Sequence, residues 1–169
     1  MRNSKILLRP IVGIMIVLAV AAMVGAYVYN SRPSVIPSAI RRQANFAIFY
    51  PNPSKQIYIL PSSFKYDTSL SQVAFVARFA NRSITFAEQS SPDSFAATPT
   101  FYANFITKLG GYATFSSIDG TVSLTEPAQV NAQTAVMNTK GTLLFAKSSN
   151  DMSENNWRLL FNSLSFTQP

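Results

Sequence analysis

"QVAFVARFANRSITFAEQ", residues 72–89, holds two apolar alternations back to back, and their reading decides the fold. Val73, Phe75, Ala77 and Phe79 would share one side of an extended chain, with Ala74, Val76 and Arg78 on the other. Ile84, Phe86 and Glu88 answer them, alternating against Thr85, Ala87 and Gln89. A period of two belongs to a strand, because successive side chains leave opposite faces. Asn81-Arg82 separates the two runs, so the stretch is expected to be a β-hairpin.

Upstream, "NFAIFY" (residues 45–50) and "QIYIL" (residues 56–60) are short apolar runs that stop at prolines and read as strands. Downstream, Thr98 stands as a helix N-cap, with Pro99 at the first position, where its missing N–H removes no bond. Phe101, Tyr102, Phe105, Ile106 and Leu109 then recur at helical spacing, and Gly110-Gly111 ends the helix. Further strands are expected at residues 112–118, turned by Asp119-Gly120 into 121–125, and at 133–138, turned by Thr139-Lys140-Gly141 into 142–147. A closing helix starts at Ser153 and buries Trp157, Leu160, Phe161 and Leu164. Hairpins interrupted by two helices predict an α+β fold over residues 43–169: an antiparallel sheet of about six strands with two helices packed on one face.

Residues 11–29 are of a different kind. They carry no charge and no polar stripe, and at about 1.5 Å per residue a helix of that length approaches the roughly 30 Å of bilayer hydrocarbon. A single-pass transmembrane helix is the reading, with residues 1–10 as a basic cytoplasmic tail and residues 30–42, containing Pro33 and Pro37, as a linker. Arg9, Tyr27, Tyr29 and Arg32 would sit at the membrane interface. Arg2, Lys5 and Arg9 on one side are matched in number by Arg32, Arg41 and Arg42 on the other. The terminal amine, and the distance of Arg41 and Arg42 from the span, favour an N-terminus inside and the domain outside. The alternative is a cleaved signal, with Ala19-Val20-Ala21 or Val24-Gly25-Ala26 as the small-residue site and a secreted product; a third reading is a core helix of a soluble domain. Ala21 and Gly25 form a small-x-x-x-small step through which two such helices could pair as a homodimer.

The formal charge of +7 is unevenly placed. Residues 1–42 hold six bases and no acid, whereas residues 43–169 hold eight bases against all seven acids. The excess flanks the apolar segment, and the near-neutral remainder lacks the basic stripe that nucleic-acid binding requires. Expected partners are therefore the lipid bilayer and another envelope protein.

Chemistry is sparsely signalled. With no cysteine and no histidine, the chain has no disulfide framework, no thiol nucleophile and no Ser-His-Asp site. Asp67, Glu88, Asp93, Asp119, Glu126, Asp151 and Glu154 are spread singly, so no carboxylate pair or calcium loop is visible. Ser62-Ser63-Phe64-Lys65 matches the S-x-x-K box of penicillin-recognising enzymes, but it follows Pro61 in an expected turn, and Thr139-Lys140-Gly141 has the wrong order for the partner motif K-T-G. No catalytic, cofactor-binding or metal residue is assigned, and no cofactor is expected. Asn81-Arg82-Ser83 is an N-x-S sequon that reads first as the hairpin turn. Phe75, Phe86, Phe101, Phe105, Trp157 and Phe161 are expected in the core, while Tyr50, Tyr58, Tyr66 and Tyr112 lie near strand ends, where they would cap the core's rim or line a ligand groove.

The order "IYILPSSFKYD", a hairpin ending in "ITFAEQSSPDSF", then "GTLLFAKSS" and "SENNWRLLFNSL" resembles small bacterial extracytoplasmic domains of uncharacterised function. In those domains a P-x-G-Y/F entry, an I-T-I-x-Q strand and a closing S-L helix recur behind an N-terminal anchor. The likeness covers most of residues 55–166, and Phe64 stands without the preceding glycine. It implies an α+β extracytoplasmic fold and carries over no catalytic residues. The functional expectation is a membrane-anchored, non-catalytic binding or envelope-assembly domain. Its alternatives are an envelope-acting hydrolase with a Ser/Lys or carboxylate site, and a minor pilin-like secretion-system subunit, which Pro33 and Pro37 disfavour.

Overall fold

The computed structural model describes residues 35–54, 56–126 and 132–167. In chain order these form α1 (Ser38–Gln43), β1 (Ile48–Pro51), β2 (Ile57–Ile59), a 3₁₀ turn (Pro61–Ser63), β3 (Lys65–Asp67), β4 (Gln72–Phe79) and β5 (Arg82–Ser90). There follow α2 (Asp93–Ala97), α3 (Pro99–Lys108), β6 (Gly111–Ser117), β7 (Gly120–Thr125), β8 (Gln133–Thr139), β9 (Thr142–Ser148), α4 (Glu154–Asn162) and β10 (Leu164–Thr167). The fold is α+β. One antiparallel sheet runs in the order β2-β4-β5-β9-β8-β7-β6, with β3 also paired to β4, and β1 pairs with β10 in a separate two-stranded sheet. The described residues thus hold ten strands, against the six or so expected from the sequence.

The hairpin forms with Phe75 opposite Phe86 and Phe79 opposite Arg82. Its turn is Ala80-Asn81, one residue earlier than expected, and both residues have positive φ, 48° and 64°. That is the turn whose twist matches two right-handed strands, and it is strained for alanine, whose Cβ resists the left-handed region. Ala80→Gly is therefore expected to stabilise the domain by about 0.5–1 kcal/mol, read as a higher denaturant midpoint at unchanged slope.

Val73, Phe75, Ala77, Phe79, Ile84 and Phe86 all point into the core, as the alternation requires. Leu144, Ala146, Ala135, Met137, Val122 and Leu124 continue that face across β9, β8 and β7. Phe64, Phe75 and Phe86 stack in file, each pair of centroids 4.7 Å apart. Trp157, Leu160 and Phe161 of α4 cover the face, and Phe161 meets Phe115 of β6 edge-on at 6.1 Å. Ser153 caps α4 by accepting a hydrogen bond from the Asn156 N–H. Leu164, expected on this helix, is buried from β10 instead.

The two longer helices do not share a face. Phe105 of α3 meets Phe145 at 6.3 Å, and Phe145 pairs with Ala87 and Val136 on the side of the sheet away from Trp157. The expected one-sided arrangement is therefore replaced by α4 on one face and α2–α3 on the other. The cause lies in "TAVMN" and "TLLFAK", which are apolar at consecutive positions: Val136 and Leu143 are buried on the second face, which needs its own cover. That cover is an aromatic cluster of Phe95, Tyr102, Phe105 and Phe145 rather than an extension of the core. Phe105 is only half-buried and Phe101 is 52% exposed, so neither is the core residue that helical spacing suggests.

The compact unit begins at Val35, not at residue 43. Ile36 and Ile40, one helical turn apart, are buried in the core cluster, so residues 35–42 belong to the fold rather than to a linker. Pro37 precedes the first turn of α1 instead of interrupting a helix. The apolar segment 11–29, its flanks Arg9, Tyr27, Tyr29 and Arg32, and the step from Ala21 to Gly25 lie outside the described residues. Among the described residues no helix is long and apolar enough to cross a membrane.

Candidate functional site: an open sheet edge

A sheet with two ends has two edges to protect, because an outermost strand leaves half of its backbone groups unpaired. The two edges are managed differently. On the outer side of β4 lie β2 and β3, three residues each, with the 3₁₀ turn between them. Across that gap Ser63 Oγ accepts from the Val76 N–H at 2.8 Å, and the Leu60 N–H donates to the Val76 carbonyl at 3.0 Å. Two short strands and a seal at Val76 leave little continuous edge.

The opposite edge is β6, seven residues long, with a neighbour on one side only. Ser117 and Gly120 close its hairpin with β7, so alternate residues bond inward, and the backbone groups of Thr114 and Ser116 face outward. The C-terminal end of this edge is guarded by α4. Arg158 Nη1 donates to the Ser116 carbonyl at 3.4 Å, and Asn162 Oδ1 accepts from the Ile118 N–H at 3.1 Å. Arg158 is itself held by Glu154 Oε1, at 2.8 and 2.6 Å, and lies 5.0 Å from the Phe115 ring. At the other end the register slips between Gly111 and Ala113, a bulge that leaves Tyr112 unmatched. Thr114, exposed and between these two devices, is the open position.

Large apolar side chains flank it. Tyr112 is 52% exposed, Ile118 80% and Leu159 59%. Leu159 lies one turn before Asn162 on α4, and Asn162 is bonded to Ile118, so the two aliphatic residues stand at the same end of β6. Backbone donors and acceptors bordered by apolar side chains are what an added strand uses.

Other residues singled out from the sequence are dispersed. Ser62 and Ser63 sit in the 3₁₀ turn, Phe64 is extended, and Lys65 begins β3, so the S-x-x-K box lacks the helix its chemistry needs. Ser63 instead holds Val76 and Leu60. Tyr50 and Tyr66 are half-buried against the core, Tyr58 is exposed opposite Arg78, and Tyr112 marks the bulge. Asn81 is exposed in the hairpin turn. Among the described residues no group of three or more acidic, cysteine or histidine side chains could hold a metal ion.

Two buried polar residues are not marked as such by the sequence reading. Glu88 is fully buried; its Oε2 accepts from the Phe49 N–H at 2.8 Å while Oε1 has no partner, and burial pushes its pKa well above the ordinary glutamate value. Gln133 is 7% exposed and joins three segments. Its Oε1 accepts from Trp157 Nε1 at 2.5 Å and from the Met152 N–H at 3.1 Å, and its Nε2 donates to the Tyr112 hydroxyl. The alternation that places Glu88 beside Ile84 and Phe86 is a signal for its burial; nothing local marks Gln133. No protein-family model matches the chain, and no curated protein or solved structure is significantly similar to it.

Proposed function

We propose that this domain is a binding module that recruits an extended segment of another envelope protein by strand addition at β6, and that residues 11–29 hold it at the membrane with the domain outside. The carrying observation is the outward backbone of Thr114, bordered by the exposed Tyr112, Ile118 and Leu159. The charge-free run 11–29 with its basic flanks supports the anchor. The energetics suit a modest, reversible association. Each main-chain hydrogen bond contributes about 0.5–1.5 kcal/mol net, and each apolar side chain newly buried about 1.5–3 kcal/mol, before the loss of translational freedom is set against them.

Thr114→Pro tests the edge directly. Proline removes the outward N–H, and an edge strand whose N–H faces solvent tolerates it. A photo-crosslinking residue at position 118 in the full chain, in intact cells, is expected to capture a discrete partner, and Thr114→Pro to lower that yield about tenfold, or about 1.4 kcal/mol. The thermal transition should be nearly unchanged. Equal capture with and without the proline would remove strand addition as the mechanism. Protease added outside intact cells should digest the domain; protection there would reverse the proposed orientation.

A further inference from the structure

The register places Tyr58 opposite Arg78 and Arg78 opposite Ser83, while the Ser149 N–H donates to the Ser83 carbonyl at 3.0 Å. These four residues therefore cross the ends of β2, β4, β5 and β9 in one row, on the face away from the core. A cavity of about 610 Å³ opens over the row, completed by Asn81 of the hairpin turn, Arg82 at the start of β5, and Gln56. That volume is in the range that holds small organic ligands.

Its lining is unbalanced in charge, since Arg78 and Arg82 belong to it and no acidic residue does. Arg82 is fixed without being neutralised: Nε donates to the Asp151 carbonyl at 3.1 Å and Nη1 to the Ala80 carbonyl at 3.3 Å, both backbone acceptors. A cation held by neutral groups keeps its full charge for a ligand and loses little freedom when one arrives. Arg78 is exposed, and neither of the two ion pairs found among the described residues involves it. The remaining lining is hydroxyl and amide, with the Tyr58 ring 60% exposed at one side.

We propose that this pocket binds a phosphate ester carried on a polyhydroxylated scaffold, a sugar or a glycerol. Two arginines suit the negative charge of a phosphate ester, about −1.5 to −2 for a monoester and less for a diester, and a planar guanidinium fork bonds its oxygens in pairs. Ser83, Ser149, Asn81 and Gln56 supply both donors and acceptors for hydroxyl groups, and the Tyr58 ring gives the scaffold an apolar face to rest on. The site lies at the far end of the sheet order from β6 and does not depend on strand addition there.

The test is calorimetric titration of the full chain in neutral detergent. The probes are a hexose 6-phosphate, its neutral parent sugar, and glycerophosphoglycerol, the deacylated headgroup of an anionic phospholipid. One of the two phosphate esters is expected to bind at least about tenfold more tightly than the neutral sugar. Arg78→Gln and Arg82→Gln should each lower that affinity about tenfold or more, while Lys108→Gln, a cation outside the pocket, changes it less than about twofold. Arg82 also ties backbone, so melting curves accompany its variant, and the exposed Arg78 serves as the independent arm. Preference for the hexose ester identifies a free phosphosugar as the ligand, and preference for the glycerol diester identifies a lipid headgroup. Absence of binding to both esters, equal binding of the neutral sugar, or an equal loss in Lys108→Gln overturns the assignment.

Discussion

Gln133→Leu is expected to cost about 3–5 kcal/mol of folding free energy, a large part of what holds a domain of this size together. The substitution keeps the volume and removes one oxygen that two buried donors share: the indole N–H of Trp157 and the backbone N–H of Met152. Each donor left without an acceptor costs about 1–3 kcal/mol, since water cannot reach it to compensate. Trp157 is fully buried and anchors α4 to the sheet, so the loss falls on that helix first. Because α4 carries Arg158 and Asn162, which guard the end of β6, loosening it also opens the edge. Denaturant unfolding measures the cost, and a double-mutant cycle with Trp157→Phe assigns it. Phenylalanine has no N–H to orphan, so Trp157→Phe should cost markedly less when Gln133→Leu is already present than in the native chain. Strictly additive effects would show that Gln133 and Trp157 do not share this bond energetically.

Gln133 also shows what a sequence withholds. Its role depends on three segments meeting at one amide, and no local pattern encodes a meeting. The β4–β5 hairpin is the opposite case, because period-two alternation is local, and one buried face dictates the register as soon as the strands pair. The turn sits one residue away from its expected place because Ala80 adopts a positive φ that propensity assigns to Asn or Gly; pairing of Phe79 with Arg82 outweighs the local strain. The placement of α3 departs from expectation for a different reason. Its apolar spacing is correct, but spacing says only that a helix has a face, not which side of the sheet that face meets. The answer lies in β8 and β9, whose consecutive apolar residues require cover on both sides. Ile36 and Ile40 are hidden by the neighbouring prolines, which suggest a linker where Pro37 in fact precedes a short helix. For the candidate site, an exposed edge can be anticipated in kind, since any open sheet has one. Its identity as β6 requires the strand order, which sequence spacing does not supply.

Glu88→Gln is expected to change how stability depends on pH more than any surface charge reversal. The carboxyl sits fully buried on β5 between Val73 and Leu144, with a single donor, the Phe49 N–H, on Oε2. Lys140 comes within 5.8 Å of the Phe49 ring, but its ammonium is engaged by Asp119, so it does not neutralise the buried group. Desolvation therefore dominates over the one hydrogen bond, and the folded state holds the proton to a higher pH than the unfolded chain does. The direction of linkage follows. Below the unfolded chain's glutamate titration both states carry the proton, and the group's full contribution to stability is present. Above about pH 5 the unfolded chain releases it while the folded chain does not, and stability falls by about 1.4 kcal/mol per pH unit until the folded carboxyl itself ionises. Glutamine can still accept from the Phe49 N–H through its carbonyl oxygen and has no proton to release, so this slope vanishes. The difference in unfolding free energy between the Glu88→Gln variant and the native chain should grow in favour of the variant as pH rises from about 5 towards the titration of the folded carboxyl, all other titrations cancelling. Parallel stability profiles across that range would mean that the carboxyl ionises in the folded domain as easily as in water, and that its burial is relieved by a route other than protonation.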